Sequence, residues 1–186
     1  KIMRFKEDGS IPPDNPFIDT PDALPEIYSY GHRVQEGLVC DPRSGKMYST
    51  EFGELGGDEL NLIRSGLNYG WPLATYSLEY NGSIISKSPF MKGMEPPIYH
   101  YAVAPSDLTF VYGDTYPRWN GNVFIGALAS KMLYRIVMKN DTVIHDETLL
   151  KGIGRVRDVK YAPDKCLYIM TEDTGIIVRL ISVSKL

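Results

Sequence analysis

The sequence is poor in cysteine, and its few thiols do not form a recognisable framework. Its only two cysteines, Cys40 and Cys166, lie far apart and lack the spacing of zinc ligands. We therefore expect neither a disulfide scaffold nor a zinc site. We predict instead two half-buried thiols on β-strands.

Long apolar runs and an excess of positive charge are also missing. No apolar run approaches the length that a bilayer-spanning helix requires, and the N-terminal segment has neither an initiator Met nor an apolar signal segment. We expect no membrane span, and we interpret the chain as part of a longer protein. The 23 acidic and 20 basic side chains leave a net charge of −3. This balance argues against a nucleic-acid partner, which would call for a basic surface.

Helical periodicity is absent, whereas turn-forming residues are frequent. The 186 residues include 17 glycines and 13 prolines, and turn formers interrupt short apolar runs about every dozen residues, as in antiparallel β-proteins. We therefore predict an all-β fold with a long surface loop over residues 73–97. The predicted strands cover residues 1–6, 38–40, 46–51, 60–63, 108–112, 122–126, 132–137, 159–161, 166–170 and 176–180.

A weak internal repeat indicates which all-β fold to expect. Pro42 precedes a Thr-Glu pair at 50–51 by the same offset at which Pro163 precedes a Thr-Glu pair at 171–172. The copies lie 121 residues apart, which for propeller blades of about 40 residues predicts a separation of about three blades. The repeat and the turns favour a β-propeller of four-stranded blades. A β-sandwich is the alternative, because periodicity does not exclude it.

Several short segments combine glycine, charged and aromatic residues in a specific order. The most specific is GGDELN at 56–61, which is followed by NYGWP at 68–72. The others are YGHRVQEGL at 30–38, STEFGEL at 49–55, VAPS at 103–106, GALA at 126–129 and RVRDV at 155–159.

In this order and spacing, the segments resemble the soluble aldose sugar dehydrogenases that depend on pyrroloquinoline quinone (PQQ), the glucose/sorbosone dehydrogenase family. The resemblance implies a six-bladed β-propeller, of which residues 1–186 form the C-terminal half, about the last three blades. It also implies oxidation of aldose sugars to lactones with PQQ and calcium, in the periplasm or outside the cell. The N-terminal half of the same propeller would complete the ring.

The resemblance assigns three arginines to the cofactor. Arg155 and Arg157 would hold the carboxylates of PQQ, since an arginine fork pairs a carboxylate bidentately. Residues two apart on a strand project the same way, which suits a shared ligand. Arg33 would lie over the quinone and polarise the carbonyls that are reduced. By the same resemblance, further cofactor positions are Val34, Ala129 and Ser130.

Without the resemblance, the same arginines read as ordinary surface residues. They would then form ion pairs with nearby carboxylates. The candidate carboxylates are those of Asp158, Glu36 and Glu51.

Calcium is the second ligand that the resemblance implies, and it takes oxygen ligands that include backbone carbonyls. One ion would bridge PQQ to the carbonyls of Gly53 and Glu54. A structural ion would use Glu59 and the carbonyl of Tyr69. The alternative for the Asp-Glu pair at 58–59 is a solvated turn before a strand. By position in the resemblance, the carbonyls of Leu78 and Tyr80 would serve another ion site.

The sequence departs from the family pattern at four positions of this site. Val34 and Glu36 stand where the family has an asparagine and a glutamine, and Phe52 and Glu54 replace its histidine or glutamine and its proline. Two extra carboxylates would face an anionic cofactor, at a cost of on the order of several kcal/mol if uncompensated. We expect either a rebuilt pocket or weak PQQ binding.

The histidines carry no catalytic role in this interpretation. The family's proton-accepting histidine belongs to the half that the resemblance leaves outside this chain. We expect His32 to be a structural histidine with its hydrogen bonds satisfied, and His145 to lie in a polar turn. His100 stands among tyrosines that would line a pocket or fill a core.

Three functions follow from these observations. The first is a PQQ- and calcium-dependent sugar dehydrogenase. The second is a catalytically degenerate propeller that binds a sugar or a protein, which the four departures favour. The third is a propeller hydrolase with a calcium-dependent site, supported by fold pattern alone.

Overall fold

Thirteen β-strands make up nearly all of the regular structure in residues 1–183, which are the residues that the computed structural model describes. A short 3-10 turn lies at Pro117–Trp119. The strands are β1 Ile2–Met3, β2 Ile27–Ser29, β3 Val34–Cys40, β4 Met47–Phe52, β5 Asp58–Ile63, β6 Tyr99–Tyr101, β7 Pro105–Val111, β8 Asn122–Ala127, β9 Met132–Lys139, β10 Thr142–Leu149, β11 Val156–Tyr161, β12 Leu167–Thr171 and β13 Ile177–Leu180.

The strands form antiparallel sheets in which neighbours in sequence are neighbours in space. β3 to β6 form a four-stranded sheet, β7 to β10 a second, and β11 to β13 a three-stranded one, while β1 pairs with β2. The first strands of the three larger sheets, β3, β7 and β11, contact one another in that order. This is the arrangement of propeller blades around a common axis. The sheets β3 to β6, β7 to β10 and β11 to β13 are the first, second and third blades. The arrangement confirms the predicted all-β, partial propeller.

Apolar side chains fill the two spaces between adjacent blades. The fully buried strand β8 supplies both, because alternate residues of a strand point to opposite faces. Val123 and Ile125 pack toward the first blade, and Phe124 packs toward the third. The interface with the first blade also contains Tyr48, Leu60, Leu108 and Phe110. The interface with the third blade also contains Val156, Val159, Leu167 and Ile169.

Buried hydroxyl groups link the three blades, the first of them from Thr50 on β4 and the second from Ser106 on β7. Thr50 Oγ1 donates to the carbonyl of Ser106 at 2.6 Å, and Ser106 Oγ donates to the carbonyl of Val156 at 2.6 Å. Gly126 leaves the room for this contact, since a Cβ there would lie 2.3 Å from Ser106 Oγ. The first blade is thereby bonded to the second, and the second to the third.

Each innermost strand is irregular near these bonds. The pairing register shifts between Gln35 and Gly37 in β3, between Pro105 and Leu108 in β7, and between Val156 and Asp158 in β11. A β-bulge leaves the extra residue outside the ladder and re-aims its side chain. Glu36 and Arg157 are the residues that the first and third bulges release from pairing.

The structure corrects several predicted elements. The first strand covers only Ile2–Met3 rather than residues 1–6, and three strands, β2, β6 and β10, were not predicted. His145 was expected in a polar turn, but it lies in β10 and pairs with Val137. β10 is an exposed edge strand, and its polar sequence hides the alternation that marks a half-buried strand. The predicted long loop is confirmed, since no strand lies between β5 and β6.

The structure contains the predicted internal repeat, but the predicted separation of about three blades between its copies is wrong. Its copies are the hairpins β3–β4 and β11–β12, which belong to the first and third blades and are thus two blades apart. The long segment between β5 and β6 enlarges the first blade and accounts for the difference. Of the thiols, Cys166 is buried and precedes β12, whereas Cys40 is exposed at the end of β3 and not half-buried.

The hydroxyl of Ser106 provides a direct test of the link between blades. Ser106→Ala removes the bond to the Val156 carbonyl and leaves a buried acceptor unpaired. We expect the free energy of unfolding to fall by about 1–2 kcal/mol, as measured by chemical denaturation of the complete protein. Ser83→Ala, in an exposed loop, is the matched control and should change stability little. Equal stabilities of the two variants would contradict the account.

Candidate functional site

Arg33 lies immediately before β3, and its guanidinium group is held by backbone carbonyls and aromatic rings. Nη1 donates to the carbonyl of Gly53 at 3.0 Å. The guanidinium carbon lies 5.3 Å from the ring centre of Trp71 and 6.0 Å from that of Tyr80. Cation–π contacts of this kind orient an arginine without neutralising it. The positive charge is therefore positioned beside the turn that follows β4.

A buried polar network fixes the backbone beneath Arg33. The carboxylate of Glu51, 3% exposed, bonds His32 Nδ1 at 2.5 Å, Asn61 Nδ2 at 2.8 Å and the backbone amide of Arg33 at 3.1 Å. His32 also bonds Ser29 through Nε2. Both ring nitrogens of His32 thus have partners, which confirms the prediction of a structural histidine.

The turn after β4 contains Gly53 and Glu54, whose carbonyls are predicted calcium ligands, and it is anchored by contacts with other segments. Asp58 accepts the amides of Gly53, Val103 and Ala104 at 3.0, 2.8 and 2.8 Å, and burial raises its pKa despite these bonds. A Cβ at Gly53 would lie 1.8 Å from the carbonyl oxygen of Gly56. The tight turn at 53–57 therefore requires glycine at position 53.

A cavity of about 330 Å³ opens over this turn and joins several predicted site residues. Its wall includes Gly53, Glu54 and Tyr80 from the first blade, and Ala129 from the turn after β8. The neighbouring residue Ser130 is tied by its amide to the carbonyl of Val103 at 3.4 Å. Ala129, a predicted cofactor position, thus lines the same cavity as Gly53 and Glu54, whose carbonyls are predicted calcium ligands.

Arg155 and Arg157 come together on a single carboxylate. Arg155 Nε bonds one oxygen of Glu172 at 2.5 Å, and Arg157 Nε bonds the other at 2.7 Å. Arg155 precedes β11 and Arg157 lies at its bulge, so both guanidinium groups project together as predicted. Arg157 Nη1 also bonds Glu36 at 3.2 Å.

The two extra carboxylates are therefore compensated by the arginines assigned to the cofactor. Glu36 pairs with Arg157 at 3.2 Å, and Glu54 lies 3.7 Å from Arg33, with both of the latter side chains 17% exposed. The surface ion-pair interpretation is thus correct for Glu36. It is wrong for Glu51. Within the described residues, Glu51 contacts an arginine only through the backbone amide of Arg33, and not through a guanidinium group.

Glu59 is a half-buried carboxylate beside a second cavity. The cavity, of about 300 Å³, is lined by Glu59, Tyr69 and the loop residues 89–97. Glu59 Oε2 accepts from Asn61 Nδ2 at 3.0 Å, yet burial raises the pKa of Glu59 to about 7, with the negative charges of Glu51 and Asp58 adding to the shift. The solvated-turn interpretation of residues 58–59 is wrong, because both belong to β5 and Asp58 is buried.

The residues at Glu59 fit a calcium ion. A partly desolvated, poorly compensated carboxylate gains from a nearby cation. The neighbouring Asn61 is fully buried, and its Oδ1 has no hydrogen-bond partner among the described residues. In residues 1–183, no group of three or more His, Cys, Asp or Glu side chains could hold a metal. Calcium would therefore depend on backbone and amide oxygens, which it accepts.

The other two predicted calcium positions fit less well. The Gly53 carbonyl already accepts from the Arg33 guanidinium group, so a cation there would meet a like charge. The Leu78 carbonyl accepts from the amide of Leu55 at 3.0 Å and from Ser77 Oγ at 3.2 Å. The side chain of Tyr80 is directed to Arg33, with its hydroxyl 3.5 Å from Nη2.

Sequence reasoning missed three residues that shape the site. Ser77 Oγ accepts the amide of Glu54 at 2.5 Å, and Asn61 bridges Glu51 and Glu59. Glu172 holds both arginines of the third blade. The repeated Thr-Glu pair was the available signal for Glu172, since the pair marks the end of the second strand in both hairpins.

Partial burial of the Glu59 carboxyl, which raises its pKa, predicts a pH dependence of stability in calcium-chelated buffer. Its folded-state pKa of about 7 lies above the ordinary value of 4.5, so the folded state binds more protons between these values and loses stability as the pH rises through them. Glu59→Gln should remove this loss. Relative to wild type, the variant should gain about 2–3 kcal/mol in unfolding free energy between pH 5 and pH 8. Glu147→Gln is the control, and a pH-independent difference for Glu59→Gln would contradict the account.

Comparison with known proteins supports the geometry. The family described as Glucose / Sorbosone dehydrogenase matches residues 1–179. The aldose sugar dehydrogenase YliI of Escherichia coli is 38% identical over 180 residues, which cover 94% of this chain and 48% of YliI. The chain spans about half the length of the curated relatives it matches.

Solved structures agree with this result. A crystal structure of a glucose dehydrogenase superposes with a TM-score of 0.94 at 39% identity, covering 98% of this chain and 54% of the other. The PQQ-bound aldose sugar dehydrogenase of Streptomyces coelicolor gives a TM-score of 0.73 at 29% identity, covering 97% and 51%. The chain belongs to the glucose/sorbosone dehydrogenase family.

Proposed function

We propose that this chain is part of a quinoprotein that oxidises aldose sugars to lactones with PQQ and calcium. The observation that carries the proposal is the grouping of the Arg155 and Arg157 guanidinium groups side by side, in a chain of this family, since paired guanidinium groups bind the carboxylates of a ligand. A relative solved in its PQQ-bound form supports the choice of cofactor.

Each group of residues has a distinct task in this proposal. Arg155 and Arg157 bind the carboxylates of the cofactor, and Arg33, positioned by Trp71 and the Gly53 carbonyl, presents positive charge to the part that becomes electron-rich. Glu59 takes part in holding calcium. When bound, PQQ supplies the two-electron acceptor for oxidation of the sugar. A histidine outside this chain takes the proton of the sugar hydroxyl.

We also propose that further blades of the same protein cover both flanks of this chain. β13 is an edge strand among the described residues, and Ile177 on it is 70% exposed. At the opposite flank, an apolar cavity of about 270 Å³ opens beside β1 and β2. Exposed strand edges and apolar patches call for a covering partner. That cavity is lined by Ile2, Met3, Arg4, Tyr28, Leu38, Met47 and Ile63.

A periplasmic or extracellular location is part of the proposal and rests on the family resemblance alone. Within the described part of the chain, no helix is long and apolar enough to cross a bilayer.

A second function has its own support. Three arginines assigned to the cofactor already have internal carboxylate partners, as expected of a propeller that has lost PQQ and binds a sugar or a protein instead. Saturable sugar binding by the complete protein, without reduction of a redox dye in the presence of PQQ and calcium, would favour this function.

The arginine pair gives a test of cofactor binding. We expect the complete protein to bind PQQ saturably in calcium-containing buffer and to reduce a redox dye when an aldose is added. Arg155→Gln should raise the Kd for PQQ about tenfold or more, because it removes a charge-assisted hydrogen bond. Arg179→Gln, an exposed arginine paired with Asp164, is the control. Absence of PQQ binding by the wild-type protein would overturn the proposal.

Calcium binding at Glu59 gives a separate test. Ligand binding to the folded state raises the unfolding temperature. We expect calcium to raise the unfolding temperature of the PQQ-free wild-type protein at pH 8, and Glu59→Gln to lose most of that increase. Magnesium at the same concentration serves as the control cation, since it prefers a smaller octahedral site. Equal increases for wild type and variant would place calcium elsewhere.

A further inference from the structure

Glu36 and Arg157 occupy equivalent positions in two blades. They are 121 residues apart, the same separation as the two copies of the internal repeat. Each is the residue that a bulge releases from the innermost strand of its blade. Because both bulges re-aim their side chains out of the ladder, the two charged groups meet, with Arg157 Nη1 3.2 Å from Glu36 Oε2.

This contact uses part of the guanidinium group that a ligand carboxylate would need. Arg157 offers a planar fork, and one edge already bonds Glu172 through Nε and Nη2. Its remaining terminal nitrogen, Nη1, is directed at Glu36. An incoming carboxylate therefore competes with a protein carboxylate for that nitrogen.

Each of the three arginines assigned to the cofactor is paired with a protein carboxylate before any ligand binds. Arg33, Arg155 and Arg157 are paired with three glutamates, which are Glu54, Glu172 and Glu36. Like charges close together in a partly desolvated site repel one another. A neutral side chain at position 36 would leave a net positive charge for an anionic ligand.

We propose that Glu36 is a specificity-determining residue that lowers the affinity of this site for carboxylate-bearing ligands by occupying Arg157. The inference rests on the proposed function in that PQQ, with three carboxylates, is the ligand in question. Binding requires that Glu36 leave Arg157, because Arg157 Nη1 is engaged by its carboxylate.

Titration of PQQ into the complete protein tests the role of Glu36. Binding is followed by quinone absorbance and by quenching of protein fluorescence, at fixed calcium and without sugar, so that the readout is independent of turnover. Glu36→Gln should lower the Kd by about threefold to tenfold, in the range expected for a half-exposed ion pair.

A matched control and a double-mutant cycle separate Arg157 from general charge effects. Glu147→Gln removes the same charge from another Glu–Arg pair, that of Glu147 and Arg135 in the second blade, and should leave the Kd unchanged. In an Arg157→Gln background, Glu36→Gln should have an effect of less than about twofold, because the residue that Glu36 occupies is gone. Unfolding midpoints verify that each variant is folded.

The outcomes distinguish this inference from the proposed function. If wild type binds PQQ and Glu36→Gln binds it no better, Glu36 does not compete and the inference is wrong. The same holds if the improvement persists undiminished in the Arg157→Gln background. If neither wild type nor Glu36→Gln binds PQQ, the proposed function itself fails, and the inference fails with it.

Discussion

The site depends on hydrogen bonds that join adjacent blades. The hydroxyls of Thr50 and Ser106 donate across the two blade interfaces to backbone carbonyls of the next innermost strand. They lie at the level of the bulges, where backbone groups lack ladder partners. These bonds satisfy that backbone and set the relative height of the blades. Without these bonds, the blades that carry Glu36 and Arg157 would not be held at the heights that bring the two side chains together.

Electrostatic balance is the second constraint on the site. Two carboxylates that would oppose an anionic ligand are each paired with a positive group, Glu54 with Arg33 and Glu36 with Arg157. The buried carboxylate of Glu51 is satisfied by His32, Asn61 and a backbone amide. These pairings remove much of the cost expected of extra negative charge. The arginines of the pocket are therefore engaged by protein carboxylates, two of them by the changed residues Glu36 and Glu54.

Much of the fold could be predicted from local patterns, and the exceptions have physical causes. The central strand β8 and the hairpin β3–β4 follow from apolar runs bounded by turns. Strand β10 could not be found this way, because it is an exposed edge strand stabilised by pairing with β9. The blade separation was misjudged because nothing in the sequence shows that the loop over residues 64–98 belongs inside one blade.

The candidate site was predictable in its residue types but not in its pairings. The segment resemblance identified Arg33, Arg155 and Arg157, and the structure places the latter two on one carboxylate. The partner Glu172 lies across a hairpin, and Ser77 reaches the turn at residue 54 from a separate loop. Such contacts depend on the tertiary arrangement of segments, which local spacing does not encode.

The most direct test of the central claim is a crystal structure of the complete protein grown with PQQ and calcium. The account predicts PQQ carboxylates on Arg155 and Arg157, with Glu36 moved away from Arg157 Nη1. A structure without bound cofactor, in which the 3.2 Å contact between Glu36 and Arg157 is intact, would contradict it.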